Sequence, residues 1–306
     1  MFFRLQLMFL ISRLHSPFPP DFDLSAAPHP PCRIFNRSAF SQQGCGACTA
    51  FAVSTAVAVR ECVRRGRDVI PSPHRLFDCG GGDCNGGAFV GTVVDVLNWG
   101  AIEDVDDAVA MFGVECNYNR NDSGAVLGIH HTMGLPHWYS AYYIHHDDAL
   151  MIKAELFMFG NPVLAVFEPD REMMSYSTEN RARYNIKWKP PLPVYHITGT
   201  PLRAHVVVVL GWGSEPEPHW VVQNSWGEAW GDHGRGRIAM DDLMAAAVLD
   251  YGVWKTNWIM LFSSILLTLV IVVEFGPEAR CCWRRLFKRG VGLKEKVDDG
   301  EGCVEV

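Results

Sequence analysis

The sequence carries no large excess of charge of either sign. Its 34 acidic and 27 basic residues leave a net charge of −7. That gives no basic footprint for nucleic acid, and no nucleic-acid partner is expected. No internal repeat is visible, so nothing indicates a repeat array. No second cysteine pair with metal-ligand spacing accompanies Cys45 and Cys48. Cys79 and Cys84 stand wider apart than a zinc knuckle usually allows. No metal site and no cofactor are expected. Cysteine is missing altogether between Cys116 and Cys281, and charge is missing from Thr256 to Val273.

What is present bounds the answer further. A chain of 306 residues, 48% hydrophobic, can bury a sizeable core as one large domain or two small ones. Seven of its ten cysteines lie before residue 120. An odd seven suits three disulfides and one free thiol in an oxidising compartment, against the alternative of scattered buried thiols. The sequons Asn36-Arg37-Ser38 and Asn121-Asp122-Ser123 are compatible with a luminal location, although so short a motif arises easily by chance.

Residues 1–16 are apolar, with Arg4 and Arg13, and read as a signal-peptide-like segment or a misplaced start. Pro17 to Pro31 is proline-rich and extended or looped. The pattern predicts helices over Cys48–Arg65, stopped by Gly66, over Ala88–Trp99, and over Ala149–Phe159, ended by Gly160-Asn161-Pro162. Between the first two lies a glycine-dense loop, Gly80–Gly87. Strands are expected at His205–Leu210, His219–Trp226 and Gly236–Met240. A helical first half and a β-rich second half make an α+β protein of two lobes.

Residues 256–275 read as one transmembrane helix. Eighteen uncharged residues span about 27 Å, near the hydrocarbon thickness. Trp254 and Trp258 mark one interface; Arg280, Arg284, Arg285, Lys288 and Arg289 lie beyond the other. The positive-inside rule places the tail, 276–306, in the cytoplasm and the bulk of the chain in a lumen or outside. Cys281-Cys282 fits a palmitoylation site or an unmodified thiol pair equally.

One segment offers reactive chemistry. Cys48 opens an apolar helix after a glycine-containing turn, and a helix N-terminus favours a thiolate. Gln42, six residues upstream, is placed to donate to a developing oxyanion. The candidate base is His205, at the head of the valine-rich strand. Asn224, on the next strand, is a candidate to orient the imidazole, with Trp226 shielding their bond. On spacing alone, a core histidine and a turn asparagine fit equally well.

Gln42…Cys45-Gly46-Ala47-Cys48-Thr49-Ala50-Phe51 resembles the active-site signature of papain-like cysteine proteases. So do Cys84-Asn85-Gly86-Gly87, Ala204-His205-Val206 with Gly211-Trp212-Gly213, and Asn224-Ser225-Trp226-Gly227…Trp230-Gly231. The four blocks follow the family's order and cover roughly residues 22 to 250. Cys32 and Cys62, together with Pro193–Gly199 leading into His205, resemble the cathepsin B branch. The resemblance implies a two-lobed papain-like fold, helical left lobe and β-rich right lobe with a cleft between, in a catalytic domain at 17–254. It implies a cysteine peptidase, expected to act as an endopeptidase on peptide or protein substrates. Its nucleophile is Cys48, its base His205, its orienting amide Asn224 and its oxyanion donor Gln42. Gly86, Gly87, Trp226 and Val248 are the implied substrate-binding residues, Val248 at the floor of a side-chain pocket. The implied disulfides are Cys32–Cys62, Cys45–Cys84 and Cys79–Cys116, which leave Cys48 free. With residues 256–275 in a lipid bilayer, the catalytic domain is lysosomal, endosomal or extracellular.

The pattern also breaks. Thr49 stands where the family usually has tryptophan. Phe18-Pro19-Pro20-Asp21-Phe22-Asp23 resembles the start of a mature enzyme, with no inhibitory segment before it; a truncated start, a different maturation or an inactive protein would each explain this. His130-His131 resembles the histidine pair of the cathepsin B occluding loop without its flanking cysteines, so a surface pair is the plainer reading, as for His145-His146. Ser175–Pro193 looks like an exposed insertion. The alternative to a working enzyme is a catalytically impaired homologue that binds peptides or partners through the cleft.

Overall fold

A computed structural model describes residues 18–26, 30–88, 90–98, 104–108, 110–113, 139–176 and 192–251. The signal-like segment, Cys116, His130-His131, most of the 175–193 insertion and the 256–275 span lie outside the described residues. Among the described residues no helix is long and apolar enough to cross a membrane.

The chain opens with a two-residue strand, β1 (Phe22–Asp23), and a one-turn helix, α1 (Arg33–Asn36). Helix α2 (Cys48–Arg65) is rich in alanine and valine, and every residue from Cys48 to Cys62 is buried. Small side chains on all faces let other elements pack around it. It stops at Gly66 in the left-handed region, as expected. Helix α3 (Pro73–Cys79) starts where the Ser72 hydroxyl accepts from the Arg75 N–H at 3.3 Å, with proline in the first turn. Helix α4 (Val90–Asn98) follows the glycine-dense loop.

After strand β2 (Tyr139–Ile144), helix α5 (Ala149–Phe159) is capped by Asp148, whose carboxylate accepts from the Met151 N–H at 3.0 Å. It ends at left-handed Gly160. The remaining strands are β3 (Val163–Phe167), β4 (His205–Gly213), β5 (His219–Gln223), β6 (Arg235–Ala239) and β7 (Ala245–Tyr251). They form one antiparallel sheet in the order β2-β7-β3-β4-β5-β6, with β1 added to β4. All nine residues of β4 are buried. This explains its continuous apolar run: a strand covered on both faces has no need to alternate.

The expected α+β arrangement is therefore present, with α2 packed on β4. Buried polar groups tie the helix to the sheet. Arg60 donates to the Leu249 carbonyl on β7. Glu61, fully buried, accepts from the Tyr139 hydroxyl on β2 at 3.0 Å and pairs with Arg67 at 3.5 Å. A buried carboxylate needs such partners to offset its lost hydration.

Two of the expected disulfides are in place. Cys32–Cys62 ties the start of α1 to the end of α2, and Cys45–Cys84 ties the segment before α2 to the glycine-dense loop. Cys79 is disulfide-bonded too, with Cys116 outside the described residues. Cys48 is free.

One expectation is corrected. Val248 is paired between Tyr142 on β2 and Val163 on β3, and its side chain is fully buried. It has no surface left to form the floor of a substrate pocket. The interior of the sheet takes it instead.

Candidate active site

The site grows from the junction of α2 and β4. Cys48 is the first residue of α2, where unpaired N–H groups and the helix dipole favour a negative sulfur. The Val206 N–H, next to His205 on β4, hydrogen-bonds to that sulfur and holds the thiol at the head of the strand. Burial nevertheless pushes the Cys48 thiol up; the N–H groups of Val206 and Thr49, the Thr49 hydroxyl and its own N–H pull the other way without reversing it.

His205 is 5% exposed. Its Nε2 lies 2.7 Å from Asn224 Oδ1, just past the end of β5. The same oxygen accepts from the Ser225 N–H at 2.7 Å. That second bond fixes which end of the amide faces the ring, so Nε2 must be the donor. The basic nitrogen of the neutral ring is then Nδ1. Trp226 covers the imidazole with ring centroids 4.5 Å apart, and Phe167, paired with His205 across β3 and β4, meets it edge-on at 5.6 Å. Burial drives the imidazole down to about 4, although the Asn224 bond favours the charged ring.

Taken one at a time, both groups are neutral at pH 7. Moving the proton from sulfur to Nδ1 creates two opposite charges together, and each offsets the other's desolvation. The pair is therefore suited to form a nucleophile and an acid in one step.

Gln42 is 6% exposed and belongs to the same network. Its backbone N–H donates to the Ser225 carbonyl at 2.8 Å, and its Oε1 accepts from the Ser225 hydroxyl at 2.6 Å. Its Nε2 donates to the Cys45 carbonyl at 2.9 Å, leaving one further N–H. Ser225 thus links the oxyanion candidate to Asn224 and so to His205. Sequence reasoning gave it no role; the only signal was its place between Asn224 and Trp226. Ser225→Ala is expected to lower kcat about tenfold by freeing the Gln42 amide to turn, with KM little changed; steady-state kinetics checks this.

Gly86 and Gly87 lie in a tight turn in which the Gly86 and Gly87 N–H groups both donate to the Asp83 carbonyl. The turn is clamped to the nucleophile segment by the Cys45–Cys84 disulfide and by the Gly46 N–H, which donates to the Cys84 carbonyl at 2.8 Å. A Cβ on Gly46 would stand 2.8 Å from that carbonyl oxygen and 3.4 Å from the Gly87 nitrogen, and Gly87 has φ +83°. Neither position tolerates a side chain. Gly46→Ala is expected to cost about 1–3 kcal/mol and to raise KM by displacing the turn, read by urea unfolding and kinetics.

Residues 28–250 match the model of the papain family of cysteine proteases. The chain belongs to that family. Among curated papain-family relatives, it is 27% identical over 225 residues to a gut-specific cysteine proteinase of Caenorhabditis elegans, covering 66% of this chain and 63% of the relative. It is 25% identical over 256 residues to a cathepsin B-like cysteine proteinase of Schistosoma japonicum, covering 74% and 69%. The chain thus spans about two thirds of the length of these relatives. Its fold is similar to that of proCathepsin B S9 from Trypanosoma congolense, with TM-score 0.58 and 22% identity over 79% of this chain and 80% of the other.

Within this papain-family site Asn224 and Trp226 contact His205, Gln42 joins them through Ser225, the neighbouring Val206 N–H reaches Cys48, and Gly87 lies against Gly46 in the segment before Cys48. Val248 stays in the core. Thr49, in place of the family's usual tryptophan, is buried. Among the described residues one side-chain group converges enough to hold a metal ion, His145, His146 and Asp147. It is exposed on the turn between β2 and α5, on none of the elements that carry the site.

Proposed function

We propose that this protein is a membrane-tethered cysteine endopeptidase whose catalytic domain faces a lumen or the cell exterior. The observation that carries the catalytic part is the double acceptance at Asn224 Oδ1, which leaves His205 Nδ1 basic on the strand whose Val206 N–H reaches the free, buried Cys48 thiol. In this reading Cys48 passes its proton to His205, and the thiolate attacks a substrate carbonyl. The oxyanion is met by the Cys48 N–H and the remaining Gln42 N–H. His205 protonates the leaving amine, and water then hydrolyses the thioester, with His205 taking its proton. Asn224 keeps the ring in its plane and tautomer throughout. Gly86 and Gly87, lacking side chains, leave the turn open to the approach of an extended substrate.

The disulfides favour an oxidising compartment. The uncharged run at 256–273 with its basic flank supports a single span with a cytoplasmic tail. The lack of cysteine between Cys116 and Cys281 speaks for endopeptidase action, because no disulfide can close a loop there over one end of the cleft. Incubation with a long peptide separates the modes. Thiol-dependent internal fragments are expected; dipeptides released from one end would reject endopeptidase action. Alkaline carbonate extraction should leave the full chain with the membranes, and recovery in the soluble fraction would reject the tether.

A further inference from the structure

We propose that Asn36 carries an N-linked glycan, an inference that rests on the luminal reading above. Asn36-Arg37-Ser38 has the acceptor pattern with no proline at its centre. Asn36 is the last residue of α1, and Arg37 is extended, with φ −89° and ψ 156°. An extended middle residue sends its two neighbours to the same side. The side chains agree: Asn36 and Ser38 are exposed, whereas Arg37 is half-buried with its guanidinium 4.3 Å over the Phe40 ring.

Neither the Asn36 carboxamide nor the Ser38 hydroxyl hydrogen-bonds to another described residue. Among the described residues a sugar attached there breaks no hydrogen bond. The sequon begins four residues after Cys32, whose disulfide with Cys62 forms in the kind of compartment where glycans are transferred. The donor is an oligosaccharide carried on a lipid pyrophosphate. The Asn36 amide nitrogen bonds to the anomeric carbon, the bond from that carbon to the pyrophosphate oxygen breaks, and the amide proton leaves to a base of the transferase.

The test uses the full chain, with Asn121→Gln to remove the second sequon, expressed in a eukaryotic cell. Amidase-sensitive mobility and the mass of the Asn36 peptide are read together with the oxidation state of Cys32–Cys62. The expected result is one glycan at Asn36 in oxidised protein, lost in Asn36→Gln and Ser38→Ala and retained in Ser38→Thr. Oxidised protein with bare Asn36 would overturn this proposal alone. Reduced protein with bare Asn36 would overturn it together with the luminal reading.

Discussion

His205→Ala is expected to lower kcat/KM for peptide hydrolysis by about a thousandfold or more, and Asn224→Ala by about ten- to a hundredfold. The asymmetry follows from where each group acts. His205 moves the proton twice, off sulfur and onto the leaving amine. Asn224 touches only the far side of the ring, through one 2.7 Å bond to Nε2. Without it, Trp226 and Phe167 still hold the imidazole between them. Water replacing the amide can accept from Nε2, but without the orientation that the Ser225 N–H imposes on Oδ1. Equal losses in both variants, measured by steady-state kinetics on proteins with intact disulfides, would assign the histidine a purely structural part.

The second large effect is on stability in acid. In Cys48→Ala, His205 has no thiolate beside it, and burial holds its pKa near 4 against an ordinary 6.5. The folded-state value is depressed, so between those two values the unfolded chain binds more protons than the folded one. The stabilising contribution of neutral His205 is present above pH 6.5 and is lost as pH falls toward 4. For this one group the loss between about pH 7.5 and about pH 4.5 amounts to about 2–3 kcal/mol. The wild-type protein should lose at least as much over the same range, because passing the Cys48 proton to His205 binds no further proton and the ion pair takes up a second one only at lower pH. Urea unfolding of both proteins at the two pH values gives the difference. A distinctly smaller loss in the wild type would mean that the folded site binds a second proton in this range, which an ion pair of sulfur and ring would not do.

The parts of the fold that were legible in the sequence share a physical reason. Gly66 and Gly160 stop α2 and α5 in the left-handed region, and the unbroken run of β4 announces a strand buried on both faces. Local chemistry decides these. Strand β7 is different. Ala245-Ala246-Ala247 has a helical preference, and only pairing with β2 on one side and β3 on the other makes it a strand. The same pairing took Val248 out of any pocket. Strand β5 ends at Gln223, shorter than its apolar run suggests, because Asn224 and Ser225 turn their groups toward His205 and Gln42. Helix α3 adds a seven-residue element that the sequence pattern did not predict, although Ser72-Pro73 is a fitting helix start. In the site, Cys48, His205 and Asn224 were readable from motif order, whereas Ser225 takes its meaning from a contact with Gln42, distant in sequence.

In the proposed mechanism Cys48 is a nucleophile armed by His205. Labelling with an epoxysuccinyl electrophile tests it most directly, because the reaction needs the thiolate and the cleft but no particular substrate. One label per chain is expected, located at Cys48 by mass spectrometry, absent in Cys48→Ala and greatly slowed in His205→Ala. Folded protein with its disulfides formed that takes up no label, or that labels as fast without His205, would contradict it.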